Sequence, residues 1–424
     1  MVLDNIRATL QSPAFIAQHR NDQGDFSRQR VLTFERIGLY FLQGAADSLK
    51  FGMETLLRGL VGTAHYHPYR LVSKQAVSKA CQKFPFEAFI DLHAKAVETF
   101  YAHASTPRWM EFRLVGVDGA KLRLPIKQYL ADTFSVQTNG GKTKRPMGLL
   151  VAHYDVLTGI PLAGELSPCF MGERFLAERL LPQRSADDLL LYDRGFPSFV
   201  MFALHKFLQV PFCMRITKNY NPEIEQFIAD EVVEREIILQ PNRDNLKECE
   251  NLNIPTTPVK VRLIRVRLKS GEIEVLATSL MDSEIYPTHL FKDLYAKRWG
   301  VEEGFKALKA WAAVECYHTM DALGVYREVY ARLLTVTLAA MARTLSQPLV
   351  DRKTSHRKYR YKVNLLSLLR KLRSELVILW CTEADMEKMK AFLQWAADDY
   401  SQVRPDRSYP RKTKNISALH ARRV

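Results

Sequence analysis

The chain has 424 residues, 47% of them hydrophobic, and a formal net charge of +15, so it can bury a sizeable core and calls for a polyanionic partner, usually nucleic acid. No membrane partner is expected: the apolar run 333–342 is closed by Arg332 and Arg343, too short to span a bilayer, and Asp4 and Arg7 interrupt any signal-peptide pattern. The six cysteines, Cys81, Cys169, Cys213, Cys249, Cys316 and Cys381, are far apart with no C-x-x-C pair, which argues against a disulfide scaffold and structural zinc and fits a reducing cytoplasm.

Residues 1–105 read as helical. Apolar residues recur at helical spacing in 31–42 and 46–60, and Ser73 is placed to cap a helix running to Lys83. Its polar face, Gln75, Lys79, Gln82 and Lys83, suits a major groove and equally any solvated helix. At Trp109 the period changes. Phe112, Leu114 and Gly116 alternate with Arg113, Val115 and Val117, which predicts a strand ending in a turn at Asp118-Gly119. Strands are expected at 147–154 and 160–164, a helix at 172–181, a short buried strand at 189–192 ending at Asp193-Arg194-Gly195, and a helix at 199–207. Four β-branched or alternating runs follow at 212–216, 232–239, 259–268 and 273–280, read as a β-rich insertion. Helical pattern resumes at His289, runs past Lys309, and returns over 322–345. The tail is basic, with Arg352, Lys353, Arg357, Lys358, Arg360 and Lys362 in one stretch and Arg404, Arg407, Arg411, Lys412 and Lys414 in another.

One stretch concentrates chemistry. On a helix advancing about 100° per residue, Tyr295, Arg298, Glu302, Lys306 and Lys309 share a sector of about 80°, beside an apolar stripe of Leu294, Val301, Phe305 and Leu308. A carboxylate flanked by cations suits a site for both a metal ion and phosphates. The plain alternative is a solvated helix with a Glu302–Lys306 pair at i, i+4. Asp118 and Asp193 each close an expected strand just before a glycine, where α/β sheets place reactive groups, although Asp-Gly is also ordinary turn chemistry. Three such carboxylates could hold two divalent cations for phosphodiester displacement, and Mg²⁺, with Mn²⁺ as substitute, suits oxygen ligands. His65-Tyr-His67 lacks a third ligand at metal-site spacing, and Asp155, Asp187, Asp188 and Glu303 read as structural or solvated.

Tyr295, Arg298, Glu302 and Lys309 match all four positions of a Y-x(2)-R-x(3)-E-x(6)-K signature. With Leu114-Val-Gly-Val-Asp118-Gly-Ala-Lys-Leu-Arg-Leu-Pro125 and Leu189-Leu-Leu-Tyr-Asp193-Arg-Gly-Phe196 ahead of it, the chain resembles the DDE transposases of bacterial insertion sequences over roughly residues 111–345. The resemblance implies an α/β fold with an RNase H-like mixed-sheet core. On this division residues 1–105 are a helical DNA-binding region, 106–210 the first part of the core, 211–286 its β-rich insertion, 287–345 the closing helices, and 346–424 a basic helical C-terminal region.

It further implies Asp118, Asp193 and Glu302 as ligands of two Mg²⁺ ions, phosphate contacts from Tyr295, Arg298 and Lys309, with Lys306 joining them, and DNA binding by Arg215, which sits where relatives place a basic residue after the next strand. Glu274 stands where several relatives hold a base-stacking tryptophan; Trp299 is the other aromatic on hand, for stacking or for packing. The function implied is metal-dependent cleavage and strand transfer at terminal inverted repeats of double-stranded DNA. A homodimer on DNA in a bacterial, nucleoid-associated cytoplasmic setting goes with it. A non-catalytic transposase-derived DNA-binding protein and a structure-selective nuclease on the same core are the alternatives.

Overall fold

The computed structural model describes residues 1–28, 30–44, 48–61, 72–138, 144–268, 270–381 and 385–404. The His65-Tyr-His67 stretch and the last basic cluster beyond Arg404 lie outside these residues. Among the described residues nine strands form one mixed sheet: β1 (Arg113–Arg123), β2 (Val136–Thr138), β3 (Lys144–Asp155), β4 (Ile160–Pro168), β5 (Asp188–Tyr192), β6 (Phe212–Ile216), β7 (Glu234–Leu239), β8 (Val259–Arg267) and β9 (Ile273–Thr278).

β1 is central. It runs antiparallel to β3 from Val115↔Asp155 to Arg123↔Met147 and parallel to β5 from Arg113↔Asp188 to Gly116↔Leu191. β4 and β2 share the outer edge of β3, and β6 lies parallel to β5 on its far side. The order β4-β3-β1-β5-β6 thus joins three antiparallel strands to two parallel ones, the mixed core of an RNase H-like fold. β5 is an unbroken buried run, Leu189, Leu190 and Leu191, because a central parallel strand is covered on both faces.

One local expectation changes. β1 does not end at Asp118-Gly119: its ladder with β3 continues through Asp118↔Ala152 and Gly119↔Val151, and four further residues of cross-strand pairing outweigh the local preference of Asp-Gly for a turn. The four runs read as strands in the β-rich stretch form as β6, β7, β8 and β9. β6 pairs with β9, β9 with β8, and β8 with β7, so these strands widen the main sheet from its β6 edge.

The Ala322–Thr354 helix is long and apolar enough to cross a membrane by length and composition, but here it is the interior pillar of the helical layer. Thr335 donates to the Leu42 carbonyl at 3.0 Å and Thr337 meets His93 at 2.9 Å, tying the N-terminal helices Phe34–Gln43 and Glu87–His103 to it. It carries buried charge as well. Glu328 pairs with Arg332 at 3.0 Å and accepts the His318 and Thr319 amides at 2.9 Å each, so the loop entering this helix is fixed by a neutralised, hydrogen-bonded carboxylate.

The segment bearing Glu302 is helical but not one α-helix. Leu290–Ala296 passes through a tighter 3-10 turn, Lys297–Trp299, into Gly300–Lys306 and then a wider π turn, Ala307–Trp311. It lies close on the sheet because glycines let it. A Cβ on Gly304 would stand 2.4 Å from Cε1 of Tyr154, a ring that is fully buried and packed on Phe305 at 5.5 Å between centroids. Gly304→Ala is therefore expected to destabilise the protein by about 1–3 kcal/mol in chemical denaturation; an unchanged midpoint would show that this helix has room to retreat from the sheet.

Candidate active site

The site forms where β1 outruns β5. Their recorded register stops at Gly116↔Leu191; carrying it two residues further on each strand brings 118 abreast of 193. Asp118 is thus held inside a strand, and Asp193 lies one residue beyond the end of β5. Gly116 and Asp118 project from the same face of β1, because side chains alternate along a strand. Over that face lies the helical run. A Cβ on Gly116 would meet Val156 at 2.7 Å and Val301 at 3.3 Å, so the residue beside Glu302 is seated two strand positions from Asp118.

The charges register this proximity. Burial foremost pushes the Asp118 carboxyl up, and repulsion from Asp193 and Glu302 adds to it; the Gly119 amide and Arg298 act the other way. Asp118 Oδ1 accepts from Gly119 N–H at 2.9 Å, and Asp193 Oδ1 from Gly195 N–H at 2.6 Å. The three carboxylates therefore share an electrostatic neighbourhood while two of them are turned onto backbone amides. Among the described residues no three His, Cys, Asp or Glu side chains converge closely enough, as they stand, to enclose an ion. Their chemistry does fit one: crowded oxygen donors, mutually repelling, beside cations.

The cationic and aromatic residues divide into two groups. Tyr295 is buried behind the site, and its hydroxyl donates to the Tyr192 carbonyl at 3.2 Å, anchoring the residue that precedes Asp193. Burial raises that hydroxyl well above its ordinary value. Arg298 is 7% exposed, with its guanidinium 5.8 Å from the Tyr295 ring and 5.4 Å from the Trp299 ring; its buried Nε has no hydrogen-bond partner. Trp299 itself is 54% exposed, so packing does not use it up. Lys309 donates to the Lys121 carbonyl of β1 at 2.7 Å, and burial lowers its ammonium. Lys306 is exposed on the same run. Arg215 is engaged elsewhere, paired with Glu274 at 2.8 Å and Glu272 at 3.2 Å.

A fourth carboxylate lies nearby that no sequence pattern singled out. Glu173 opens the Glu173–Leu180 helix, and its carboxyl carbon lies 2.6 Å from where a Cβ on Gly119 would stand. Burial first, then repulsion from Asp118 and Asp193, raises it, with Lys121 opposing. No spacing rule could have found it, because an acidic residue in a helix's first turn is favoured on any helix.

A sequence model of the Transposase DDE domain family matches residues 111–338. Transposase InsG for insertion sequence element IS4, from Escherichia coli (strain K12), is 25% identical over 245 residues, covering 56% of this chain and 53% of that protein; the chain thus matches about half the length of this curated relative. Among solved structures, a piggyBac transposase synaptic complex with hairpin DNA aligns with a TM-score of 0.45 and 10% identity, over 93% of this chain and 85% of that one.

Two outcomes follow from the site's geometry. Because the folded Asp118 carboxyl is raised, its ionisation opposes folding as pH climbs above 3.8, its ordinary value, and has no effect where the group is protonated in both states. Asp118→Asn should therefore raise the melting temperature in chelator at neutral pH, with the gain fading as pH falls toward that value; a loss of stability instead would contradict the crowding. Tyr295→Phe leaves the Tyr192 carbonyl without its donor and should cost about 1–3 kcal/mol, read from denaturant midpoints.

Proposed function

The chain belongs to the Transposase DDE domain family, and from that premise we propose that it is a DNA transposase, with Asp118, Asp193 and Glu302 as its metal-binding triad. The observation that supports this reading best is the crowding of the three side chains, contributed by a strand, a strand end and a helix far apart in sequence, to the point where Asp193 and Glu302 perturb Asp118. Rotations that release Asp118 from Gly119 and Asp193 from Gly195 close the donor set. Two Mg²⁺ or Mn²⁺ ions bound there would activate a water or 3′-hydroxyl and stabilise the departing oxygen in phosphodiester displacement.

The protein's own residues supply position and field. Arg298, beside Trp299, balances the charge of Asp118, and we assign its guanidinium the phosphate contact that the family signature implies. Lys306 and Lys309, on the flank of the same run, meet the DNA backbone, a contact that fixes register without reading sequence. Tyr295 holds the end of β5 through Tyr192, so we assign it to positioning Asp193 rather than to the phosphate contact implied by the family signature. Arg215, held by Glu272 and Glu274, braces β6 against β9. The substrate is double-stranded DNA at the ends of a mobile element, paired by two copies of the chain. The Lys74–Lys83 helix, whose Gln75, Lys79, Gln82 and Lys83 are exposed while Val77, Ala80 and Cys81 are buried, is the proposed groove reader of the 1–105 region. The basic 346–424 region contacts phosphates.

The test uses purified full-length protein and DNA carrying the inverted repeats that flank its reading frame. Asp118→Asn, Asp193→Asn and Glu302→Gln should each lower Mg²⁺-dependent cleavage by roughly a hundredfold or more while retaining DNA binding in gel shift. Cleavage surviving in all three variants would remove these carboxylates from the chemistry. Binding without cleavage by the wild type, across metals and substrates, would leave a DNA-binding protein only.

A further inference from the structure

Away from the triad, a cavity of about 290 Å³ opens between the segment bearing Glu302 and the start of the basic C-terminal region. Gly300, Glu303 and Gly304 form one wall and the turn 156–159 a second, while Arg343, Arg360 and Lys362 bring three cations to the lining. Arg343 comes from the Ala322–Thr354 helix, and the turn admits it. Gly159 has φ +71°, and a Cβ there would collide with Arg343 Nη2, so both backbone and space require glycine. Arg343 Nη2 donates to the Thr158 carbonyl, its one hydrogen bond among the described residues. A guanidinium has five N–H donors, which leaves the rest for the cavity. Burial pulls this guanidinium down from its ordinary value, with Glu303 and Asp155 opposing.

Arg360 and Lys362 are exposed at the rim, and among the described residues their side chains are paired with no other group. Their backbone is fixed all the same. Val403 N–H donates to the Arg360 carbonyl at 2.8 Å, and Lys362 pairs with Ser401 across the ribbon of Tyr361–Val363 and Tyr400–Gln402. Arg357 adds charge to that ribbon, 5.0 Å from the Tyr361 ring and 5.4 Å from the Tyr400 ring. Two carboxylates also line the cavity: Asp351 accepts from Gln347 at 2.8 Å, and Glu303 offsets Arg343. Cations remain in excess. Holding a half-desolvated guanidinium and two rim cations around one concavity costs stability unless an anion enters it.

We propose that this cavity seats a phosphodiester of the DNA substrate, with Arg343 at its floor and Arg360 and Lys362 at its rim. The planar fork of an arginine takes phosphate oxygens in pairs, and a lysine adds a point charge. Glu303 on the wall is the neighbour of Glu302, so the seated phosphate lies within about one helix diameter, roughly 12 Å, of the Glu302 side of the segment. At about 3.4 Å of rise per nucleotide, that is within roughly four nucleotides of the reacting phosphate. The contact registers DNA along the Glu302 segment without reading its sequence. The inference rests on the reading of the protein as a transposase that cleaves DNA.

Binding isotherms of the full-length protein on duplex DNA carrying its flanking inverted repeat test it, with single linkages replaced in turn by uncharged methylphosphonates. Arg360→Gln and Lys362→Gln should melt at the wild-type temperature, since neither side chain is paired. Each should weaken binding by roughly two- to fivefold and lower the slope of log affinity against log salt by about one. Wild type should lose affinity at a linkage within roughly four nucleotides of the cleavage point. The double variant should lose nothing further at that linkage while still responding at others. A double variant that binds like wild type, or whose deficit is the same at every linkage, overturns the pocket. Inorganic phosphate bound by wild type and not by the double variant, with DNA binding unaltered, assigns the cavity to a free phosphate and overturns the DNA contact. A wild type that binds no DNA overturns the transposase reading itself.

Discussion

Everything at this site depends on holding like charges together against their own repulsion. A carboxylate in a partly buried setting resists ionisation, and each further carboxylate nearby makes it worse. A flexible loop would relieve that strain by moving apart. Here Asp118 cannot, because it is locked inside β1 opposite Ala152 of β3, with paired residues before and after it, and Asp193 is one residue past a strand whose register is shared with β1. The sheet does the work of confinement.

The helical run that brings Glu302 is held down by a complementary device. Gly304 admits the Tyr154 ring and Gly116 admits Val156 and Val301, so helix and sheet approach more closely than ordinary side chains allow. The 3-10 and π turns on either side change the rotation per residue, and unequal turns of this kind are frequent at functional sites. Behind this layer the Ala322–Thr354 helix binds the N-terminal helices and the sheet into one core. The strand and helix backbones that carry the carboxylates therefore sit on a support with little room to relax locally.

The cationic residues are sorted by what their polar atoms are already doing. Tyr295 has given its hydroxyl to a backbone carbonyl, and Arg215 is shared between two glutamates; each stabilises the scaffold. Arg298 retains an unpartnered Nε in a buried setting, and Lys306 and Lys309 lie on the same run. Of the signature residues, Tyr295 and Lys309 thus tie the helical run to backbone carbonyls of the sheet side. Sequence spacing places the signature residues on one helical segment but does not say which are so tied.

The sequence alone determined the α/β character, the basic charge, the order of the three acidic residues and the resemblance of their motifs to a transposase family, because these follow from local periodicity and from residue types in fixed spacing. It read β5 correctly from an apolar run and the Glu302 segment from its helical spacing. Only the tertiary structure decided that β1 runs on past Asp118, because the competing force is a ladder with a strand some thirty residues away. Only it merged the β-rich stretch with the main sheet, turned Tyr295 inward, occupied Arg215, and laid Glu173 on Gly119. Each of these depends on which distant group meets a donor, a charge or an empty Cβ position, and no local pattern carries that information.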